Sequence, residues 1–300
     1  MVENFKKTPV TLFLFVDGLG LGERDPSVNP IYSGRYPVLE KLLSEEAVPI
    51  DPRLDTPGLP QSATGQATIL TGKNAAAVLG RHVEGFPGPT LKELIRAHNI
   101  FSALQARGYR STFANAYHVP GVEAVHALRR QSVTTVAALE AFNGVRMIPD
   151  LLAGQAVYQD ITREVFKARG VDVPTVTPEE AAGHLLDIAR QWDFTLFEYF
   201  QTDLMAHKGT ATEINRVLDR LNRFVKVLLS HPAGKNGLFI LTSDHGNIED
   251  GTHRLHTQNP VPFVALGHGA DFLRSRVGRL QDIAPALLSL YPARHGAQNS

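Results

Sequence analysis

Residues 10–20 read VTLFLFVDGLG and place one carboxylate, Asp17, directly after a run of apolar, β-prone residues. A continuous apolar run bounded by Gly, Asp or Pro is typical of a strand buried on both faces, as in a parallel sheet. We therefore predict a first strand over Val10–Val16. In open α/β sheets, ligands bind beyond the carboxyl ends of the strands. Asp17 is thus a candidate metal ligand, the alternative being a simple turn cap.

Strand-like runs recur along the chain and alternate with segments of helical period. Apolar residues that recur every three or four positions predict the helices, and the clearest helix follows a capping box at residues 177–180. This alternation predicts an α/β domain, with three αβα layers around a mostly parallel central sheet. The further predicted strands are 111–116, 195–199, 238–242 and 261–266, and the predicted helices are 91–107, 177–192, 214–228 and 283–290.

The stretch from residue 118 to residue 176 fits this alternation poorly. It contains plausible helices at 134–142 and 160–169 but no convincing buried strand. We interpret residues 118–176 as a small inserted cap, and residues 1–117 together with 177–300 as the core that carries the chemistry.

The composition of the chain narrows the classes of partner. Its 300 residues include 30 Lys and Arg against 30 Asp and Glu, so it lacks the basic excess of nucleic-acid binders. The absence of cysteine excludes disulfides and thiolate metal sites. No apolar stretch approaches the ~20 residues that span a bilayer, and the run at 10–16 lacks a signal-peptide cleavage site. We expect a cytoplasmic protein without nucleic-acid or membrane partners; its oligomeric state is not predicted.

Ser62 is a candidate nucleophile. It lies in PQSATGQ, residues 60–66, and helix-compatible residues follow it as far as Gly72. A helix N-terminus favours an anion, and a metal bound to a hydroxyl oxygen there would lower its pKa. An ordinary Ser N-cap is the commoner explanation, and Thr64 stays open as a second hydroxyl candidate.

Asp203 and His207 are spaced for a shared ion. They follow the predicted strand 195–199 and stand four residues apart, so both point the same way if the turn is helical. A carboxylate and an imidazole on one side can hold one divalent cation. An exposed Asp–His pair is the alternative.

Asp244 and His245 follow the predicted strand 238–242 after Ser243, at a strand end where adjacent side chains point in different directions. Neighbouring buried Asp and His side chains need partners, and a metal provides one. His256 precedes the strand at 261–266, with His253 three residues away as its competitor. A metal site usually has three or four protein donors. One predicted site therefore consists of Asp203, His207 and His256, and a second consists of Asp17, Ser62, Asp244 and His245.

These segments resemble the alkaline phosphatase superfamily, especially cofactor-independent phosphoglycerate mutase and its metalloenzyme relatives. The likeness is carried by DGLG, PQSATGQ, TDLMAHKG, SDHGN and HTQNPVP, which span most of the chain in order. The resemblance implies an alkaline phosphatase-like fold, Ser62 as nucleophile and the two ligand sets above. The mutase carries a large inserted transferase domain, whereas this chain has room only for a small insertion.

The sequence therefore predicts a metal-dependent phosphohydrolase that acts on a small phosphate ester. Two divalent ions, Mn or Zn, would assist Ser62, which would form a phosphoseryl intermediate. A phosphomutase is the first alternative, and a non-catalytic binding protein on the same fold is the second. Lys73, Lys208 and Arg254 lie near the motifs, but we expect them to be solvated surface charges.

Overall fold

The computed structural model describes residues 8–230 and 236–294. The predicted core ranges extend into residues 1–7, 231–235 and 295–300, which lie outside the described residues. Within the described part, the backbone forms eight strands: β1 Val10–Val16, β2 Val48–Ile50, β3 Ser111–Phe113, β4 Ala116–Tyr117, β5 Arg146–Met147, β6 Phe194–Tyr199, β7 Gly237–Thr242 and β8 Val261–Gly267.

The central sheet has six strands in the order β2-β8-β7-β1-β6-β3. β1 is parallel to both β6 and β7, and β3 is parallel to β6, so the carboxyl ends of these strands meet at one edge. β8 runs antiparallel to β7, and β2 runs antiparallel to β8. A parallel return requires a long crossover, usually a helix, and the 243–260 connection contains none. The predicted mostly parallel sheet is confirmed.

Helices cover both faces of this sheet. Short 3₁₀ or π segments occur at Pro30–Tyr32, Leu42–Glu46 and Leu280–Asp282. The α-helices in the described residues are α1 Pro37–Lys41, α2 Ser62–Thr71, α3 Ala75–Leu79, α4 Pro89–His98, α5 Ile100–Gln105, α6 Val122–His126, α7 Val133–Phe142, α8 Ile148–Leu152, α9 Glu164–Ala168, α10 Pro178–Ala189, α11 Gln201–Lys208, α12 Ala211–Ser230, α13 Ala270–Arg276 and α14 Ile283–Ser289.

Three local predictions need correction. The strand predicted at 111–116 is divided, because β3 ends at Phe113 and Ala116 begins β4, which pairs with β5 in a separate two-stranded sheet. The single helix predicted at 91–107 is two helices, because Asn99 is extended and its side chain accepts a hydrogen bond from the Ser102 backbone N–H, which caps α5. This is the usual competition of an Asn side chain with the helical backbone. The short edge strand β2 was not predicted, since three residues that include Pro49 carry almost no periodic signal.

Alternating residues of β1 enter two different hydrophobic clusters, which gives the three layers. Phe13 and Phe15 pack with α2, α4, α5, α7 and α14 on one face, whereas Leu12, Leu14 and Val16 pack with α1, α10 and α12 on the other. Strand side chains point alternately to the two faces, so both sides of β1 are buried. The predicted αβα layering is confirmed.

The predicted cap region packs in two parts. Val133, Val136 and Ala137 of α7 belong to the same cluster as Phe13, whereas Leu151 of α8 and Phe166 of α9 belong to a smaller cluster. The cap boundaries at residues 118 and 176 stay a prediction. In the part of the chain that the structure describes, no helix is both long enough and apolar enough to cross a bilayer.

Candidate metal centre

The carboxyl ends of β1 and β7 bring one group of donors together. Asp17 follows β1, and Asp244 and His245 follow β7. The His245 Nε2 atom lies 3.2 Å from Asp17 Oδ1 and 3.6 Å from Asp244 Oδ2. All three side chains are buried, and the sheet topology alone puts them at the edge where ligands bind. We call this set, together with Ser62, the inner group.

Ser62 joins the inner group from the opposite direction. It is the first residue of α2, and its Oγ atom lies 3.0 Å from His245 Nε2. Gly65 lets the helix approach this closely, because a Cβ at that position would lie 2.8 Å from the Asp244 Cβ. The Thr64 hydroxyl instead donates to the Gln61 carbonyl and lies 3.5 Å from His82 Nδ1. The geometry therefore favours Ser62 over Thr64 as the hydroxyl of this centre.

Asp203, His207 and His256 form a second set, the outer group. The Asp203 Oδ1 atom lies 3.3 Å from His207 Nε2 and 3.4 Å from His256 Nε2. The two Nε2 atoms are 2.9 Å apart. Each ring is oriented through its Nδ1 atom, which lies 2.7 Å from the Arg254 carbonyl in His207 and 2.8 Å from the Pro60 carbonyl in His256.

The orientation of these two rings favours a cation. A carbonyl can only accept, so each Nδ1 carries the proton and each Nε2 of a neutral ring presents a lone pair. Two lone pairs and a carboxylate oxygen then face one another, which is the arrangement of a metal site. His253 is exposed, and its Nε2 atom lies 3.3 Å from Asp250 Oδ2. His256 is therefore the histidine that the fold brings to the cluster.

The two groups lie side by side. The rings of His245 and His256 are stacked, with centroids 3.7 Å apart. Donor atoms of Asp17, Asp244 and His245 lie within 4.8 Å of one another, and so do those of Asp203, His245 and His256. The structure thus places all seven predicted residues in one cluster, while their roles as ligands stay a prediction.

The buried carboxyl groups of the cluster favour the binding of a cation. Burial raises the pKa of Asp17 and of Asp244. The negative charge of Asp244 raises the pKa of Asp17 further, and that of Asp203 raises the pKa of Asp244. Burial would lower the pKa of His245, but Asp244 and Asp17 outweigh it and raise that pKa to about 10. Asp203 behaves oppositely, because His256 and His245 overcome its burial and lower its pKa to about 2.

Orphaned oxygen atoms test whether metal ions suit this donor set. Asp17 Oδ1 and Asp244 Oδ2 are buried and accept no well-formed hydrogen bond, although His245 Nε2 lies 3.2 Å and 3.6 Å from them. A buried carboxylate oxygen without a partner is costly, and a coordinated cation removes that cost. Oxygen and imidazole donors without thiolates suit ions such as Mn²⁺ and Zn²⁺. The residues present therefore fit divalent metal ions.

A sequence model of the family described as the metalloenzyme superfamily matches residues 9–293. The chain belongs to this superfamily. Membership implies divalent metal binding, in agreement with the donor set, and leaves the identity of the ions open.

Relatives of this metalloenzyme include 2,3-bisphosphoglycerate-independent phosphoglycerate mutases. The enzyme from Acetivibrio thermocellus is 23% identical over 205 residues, which cover 64% of this chain and 38% of that protein. The enzyme from Cereibacter sphaeroides is 31% identical over 125 residues, which cover 39% of this chain and 24% of that protein. The chain thus spans well under half the length of these curated relatives.

Solved structures show the same fold. The PH0037 protein from Pyrococcus horikoshii superimposes with a TM-score of 0.57 at 14% identity, covering 98% of both chains. Alkaline phosphatase from the Antarctic bacterium TAB5 gives a TM-score of 0.55 at 12% identity, covering 95% of this chain and 98% of the other. The predicted alkaline phosphatase-like fold and the resemblance to phosphoglycerate mutases are confirmed.

Three polar residues around the donor cluster of the metalloenzyme were not predicted. Gln66 donates through Nε2 to Asp17 Oδ2 at 3.1 Å, and Asn247 donates through Nδ2 to Asp203 Oδ1 at 2.8 Å. Glu249 is fully buried and accepts from the backbone N–H groups of Gly20 and Asn247. The four-residue spacing from Ser62 could have indicated Gln66, but nothing in the sequence marks Glu249 as buried.

The three cationic residues near the motifs remain outside the donor cluster. Lys73 and Lys208 are exposed, and Arg254 donates through Nη1 to the Gly209 carbonyl. These positions agree with the expected role as surface charges.

Proposed function

We propose that this metalloenzyme is a phosphohydrolase that cleaves a small phosphate ester by way of a phosphoseryl intermediate on Ser62. One observation carries the proposal: the Ser62 hydroxyl lies 3.0 Å from His245 Nε2, where the inner group meets the N-terminus of α2. A nucleophile placed among metal donors and at a helix N-terminus suits attack on an anionic phosphate.

Two divalent ions, Mn²⁺ or Zn²⁺ by preference, belong to this proposal. Asp203, His207 and His256 would hold one ion, and Asp17, Ser62, Asp244 and His245 would hold the other. When bound, such ions lower the pKa of a serine hydroxyl and neutralise charge on phosphate oxygens.

The residues of the chain have defined tasks in the reaction. Ser62 Oγ loses its proton and attacks phosphorus, and the ester P–O bond breaks as the alcohol leaves. Water then attacks the phosphoserine, the P–Oγ bond breaks, and Ser62 regains a proton. Gln66 and Asn247 keep the Asp17 and Asp203 carboxylates in place through their amide N–H groups.

The substrate class rests on the relatives and on the donor set. The phosphoglycerate mutases act, by their name, on a phosphorylated small molecule, and a metal-donor cluster beside a helix N-terminus suits a phosphate group. We therefore propose a small-molecule phosphate ester without a nucleic-acid or membrane partner. The cytoplasmic location stays a prediction.

A phosphomutase is the second candidate, because the curated relatives carry that name. It would return the phosphoryl group from Ser62 to another oxygen of the same substrate, which requires exclusion of water from the intermediate. Product analysis separates the two activities, since a hydrolase releases inorganic phosphate and a mutase yields an isomer. A non-catalytic protein would instead turn over no ester at all with both ions bound.

The nucleophile is tested by removing one hydroxyl at a time. Ser62→Ala should lower phosphate release from p-nitrophenyl phosphate by about 10³-fold or more. Thr64→Val, which removes the neighbouring hydroxyl, is the matched control and should retain most of the activity. Equal activity of Ser62→Ala and the unmodified protein, with equal metal content, would contradict the proposal.

A further inference from the structure

A polar cavity that shares no residue with the metal centre lies where α4 faces α6 and α7. Its volume is about 440 Å³, which falls within the range of about 300–1,000 Å³ that is typical of small-molecule sites. None of the seven residues of the inner and outer groups lines it. The cavity is therefore not explained by the metal chemistry of those groups.

Three basic side chains line this cavity from two sides. Lys92 and Arg96 stand four residues apart on α4, so they lie on the same face of that helix, and His126 is the last residue of α6. Glu140 of α7 is the one acidic residue among the lining residues in the described part of the chain. The wall of the cavity therefore carries a positive excess that suits an anion.

The present partners of these basic groups leave them able to bind an anion. Lys92 Nζ donates to a neutral acceptor, Gln131 Oε1, at 3.2 Å, and an ammonium group has three N–H donors in all. Arg96 Nε lies 3.8 Å from Glu140 Oε2, and both side chains are about half exposed, so solvent screens this ion pair. An anionic ligand would gain charge-assisted hydrogen bonds from both cations.

Gln131 connects the two basic sides of the cavity. It is 8% exposed, and its Nε2 atom donates to the carbonyl oxygens of Val125 and His126 at 3.1 Å and 3.2 Å. Its Oε1 atom accepts from Lys92, so one buried amide joins the end of α6 to α4. The basic side chains are thus arranged around the cavity before a ligand binds, which lowers the entropic cost of binding.

The rest of the cavity wall is apolar. Val136 and Leu139 of α7 are buried, and Leu128, between α6 and α7, is 38% exposed. Ligand sites commonly combine such apolar surface with a few polar groups that orient the ligand. The wall therefore suits a ligand that has a hydrocarbon part as well as a negative charge.

We propose that the cavity between α4, α6 and α7 binds a small organic anion. Lys92, Arg96 and His126 bind its anionic oxygen atoms, and the three apolar residues contact its hydrocarbon part. Carboxylates, sulfonates and phosphonates share this chemistry. The site does not depend on the proposed phosphohydrolase function, because it uses no residue of the metal centre. It joins α4, in the predicted core range, to α6 and α7 of the predicted cap.

Calorimetric titration of the metal-loaded protein with benzoate tests this site, and benzenesulfonate and phenylphosphonate show which anionic group it prefers. Lys92→Gln and Arg96→Gln each remove one charge and keep a polar side chain. Each should raise the Kd for benzoate about tenfold or more, as expected for a lost hydrogen bond from a charged donor. Lys226→Gln, at an exposed position of α12 outside the cavity, removes the same charge and should leave the Kd unchanged.

A comparison of benzoate with acetate tests the apolar wall. The unmodified protein should bind benzoate about tenfold more tightly, because the phenyl ring removes apolar surface from water. Leu128→Ser should reduce this preference and leave the Kd for acetate unchanged. Leu128 is partly exposed, so this variant should keep its fold.

Three results would overturn the anion site. The first is an unchanged Kd for benzoate in both Lys92→Gln and Arg96→Gln, with circular dichroism spectra equal to that of the unmodified protein. The second is the absence of binding of all three aromatic anions to the unmodified protein. The third is benzoate binding that disappears in Asp244→Ala, which would assign the anion to the metal centre instead.

Discussion

The inner and outer groups of the candidate metal centre differ in burial. Asp244 and His245 have no exposed side-chain surface, whereas Asp203 is 17% exposed and His207 is 37% exposed. The inner group is held between strand ends and α2, but the outer group includes a histidine on the solvent side of α11. Under the proposed function, this difference in burial predicts that the inner group holds Ser62 in place and that a substrate would approach from the outer group.

The largest expected effect comes from removing an inner carboxylate. Asp244→Ala removes the buried negative charge that most strongly favours the charged form of His245, and it deletes an oxygen donor from the inner group. We expect loss of at least one of two bound ions and a fall in turnover on the order of 10³-fold. Metal analysis by inductively coupled plasma mass spectrometry, with kinetics on the same sample, checks both. Full metal content in Asp244→Ala would refute the inner site.

A smaller effect is expected for the outer group. His207→Ala removes an exposed imidazole, and water can replace it as a ligand. We expect the protein to keep the inner ion, lose or weaken the outer one, and lose about 10²-fold in turnover. His253→Ala, which changes a nearby histidine outside the cluster, is the control. If His207→Ala lost both ions, the division into two groups would be wrong.

The amides that orient the carboxylates should have still smaller effects. Gln66→Leu and Asn247→Leu each remove one hydrogen bond to a proposed ligand, Asp17 and Asp203 respectively. Loss of such a bond typically weakens metal affinity by about 10- to 100-fold. Titration with Mn²⁺ should show the inner ion weakened in Gln66→Leu and the outer ion in Asn247→Leu. Identical changes in both variants would argue against independent sites.

The smallest effect concerns pH and the carboxyl group beside the inner set. The pKa of Glu198 is raised from 4.5 to about 7, chiefly by burial, so ionisation destabilises the folded protein. Its favourable contribution is complete below pH 4.5 and is lost as the pH rises through about 7. In metal-free protein, Glu198→Gln should therefore gain in Tm relative to the unmodified chain between pH 5 and pH 8. A Tm difference that does not change with pH would show that Glu198 is not the group that ionises in this pH range.

Much of this centre could be predicted because it depends on short-range signals at strand ends. Asp17 and Asp244 each follow an apolar run, and parallel pairing of β1 with β7 brings such ends together. Ser62 could be assigned to a helix start from local sequence, and α2 begins at that residue. For these residues, the local sequence pattern and the topology of the sheet predict the same position.

Other features depend on contacts between distant residues, which local sequence periodicity does not show. The choice of His256 over His253 depends on the Pro60 carbonyl, which is 196 positions away in the chain. Glu249 is polar and has no periodic context, yet three-dimensional packing buries it under the loops of the centre. The break at Asn99 was missed because apolar periodicity continues across a residue whose side chain caps the following helix.

The proposal predicts that the inner and the outer group would each hold one cation, with Ser62 among the donors of the inner one. Anomalous diffraction from a Mn²⁺-loaded crystal, measured on both sides of the Mn absorption edge, tests it most directly. The account predicts two peaks per chain, the inner one about 2.0–2.3 Å from donor atoms of Asp17, Ser62, Asp244 and His245. A crystal with no peak at the inner group, or with the Ser62 hydroxyl turned away from it, would contradict the account.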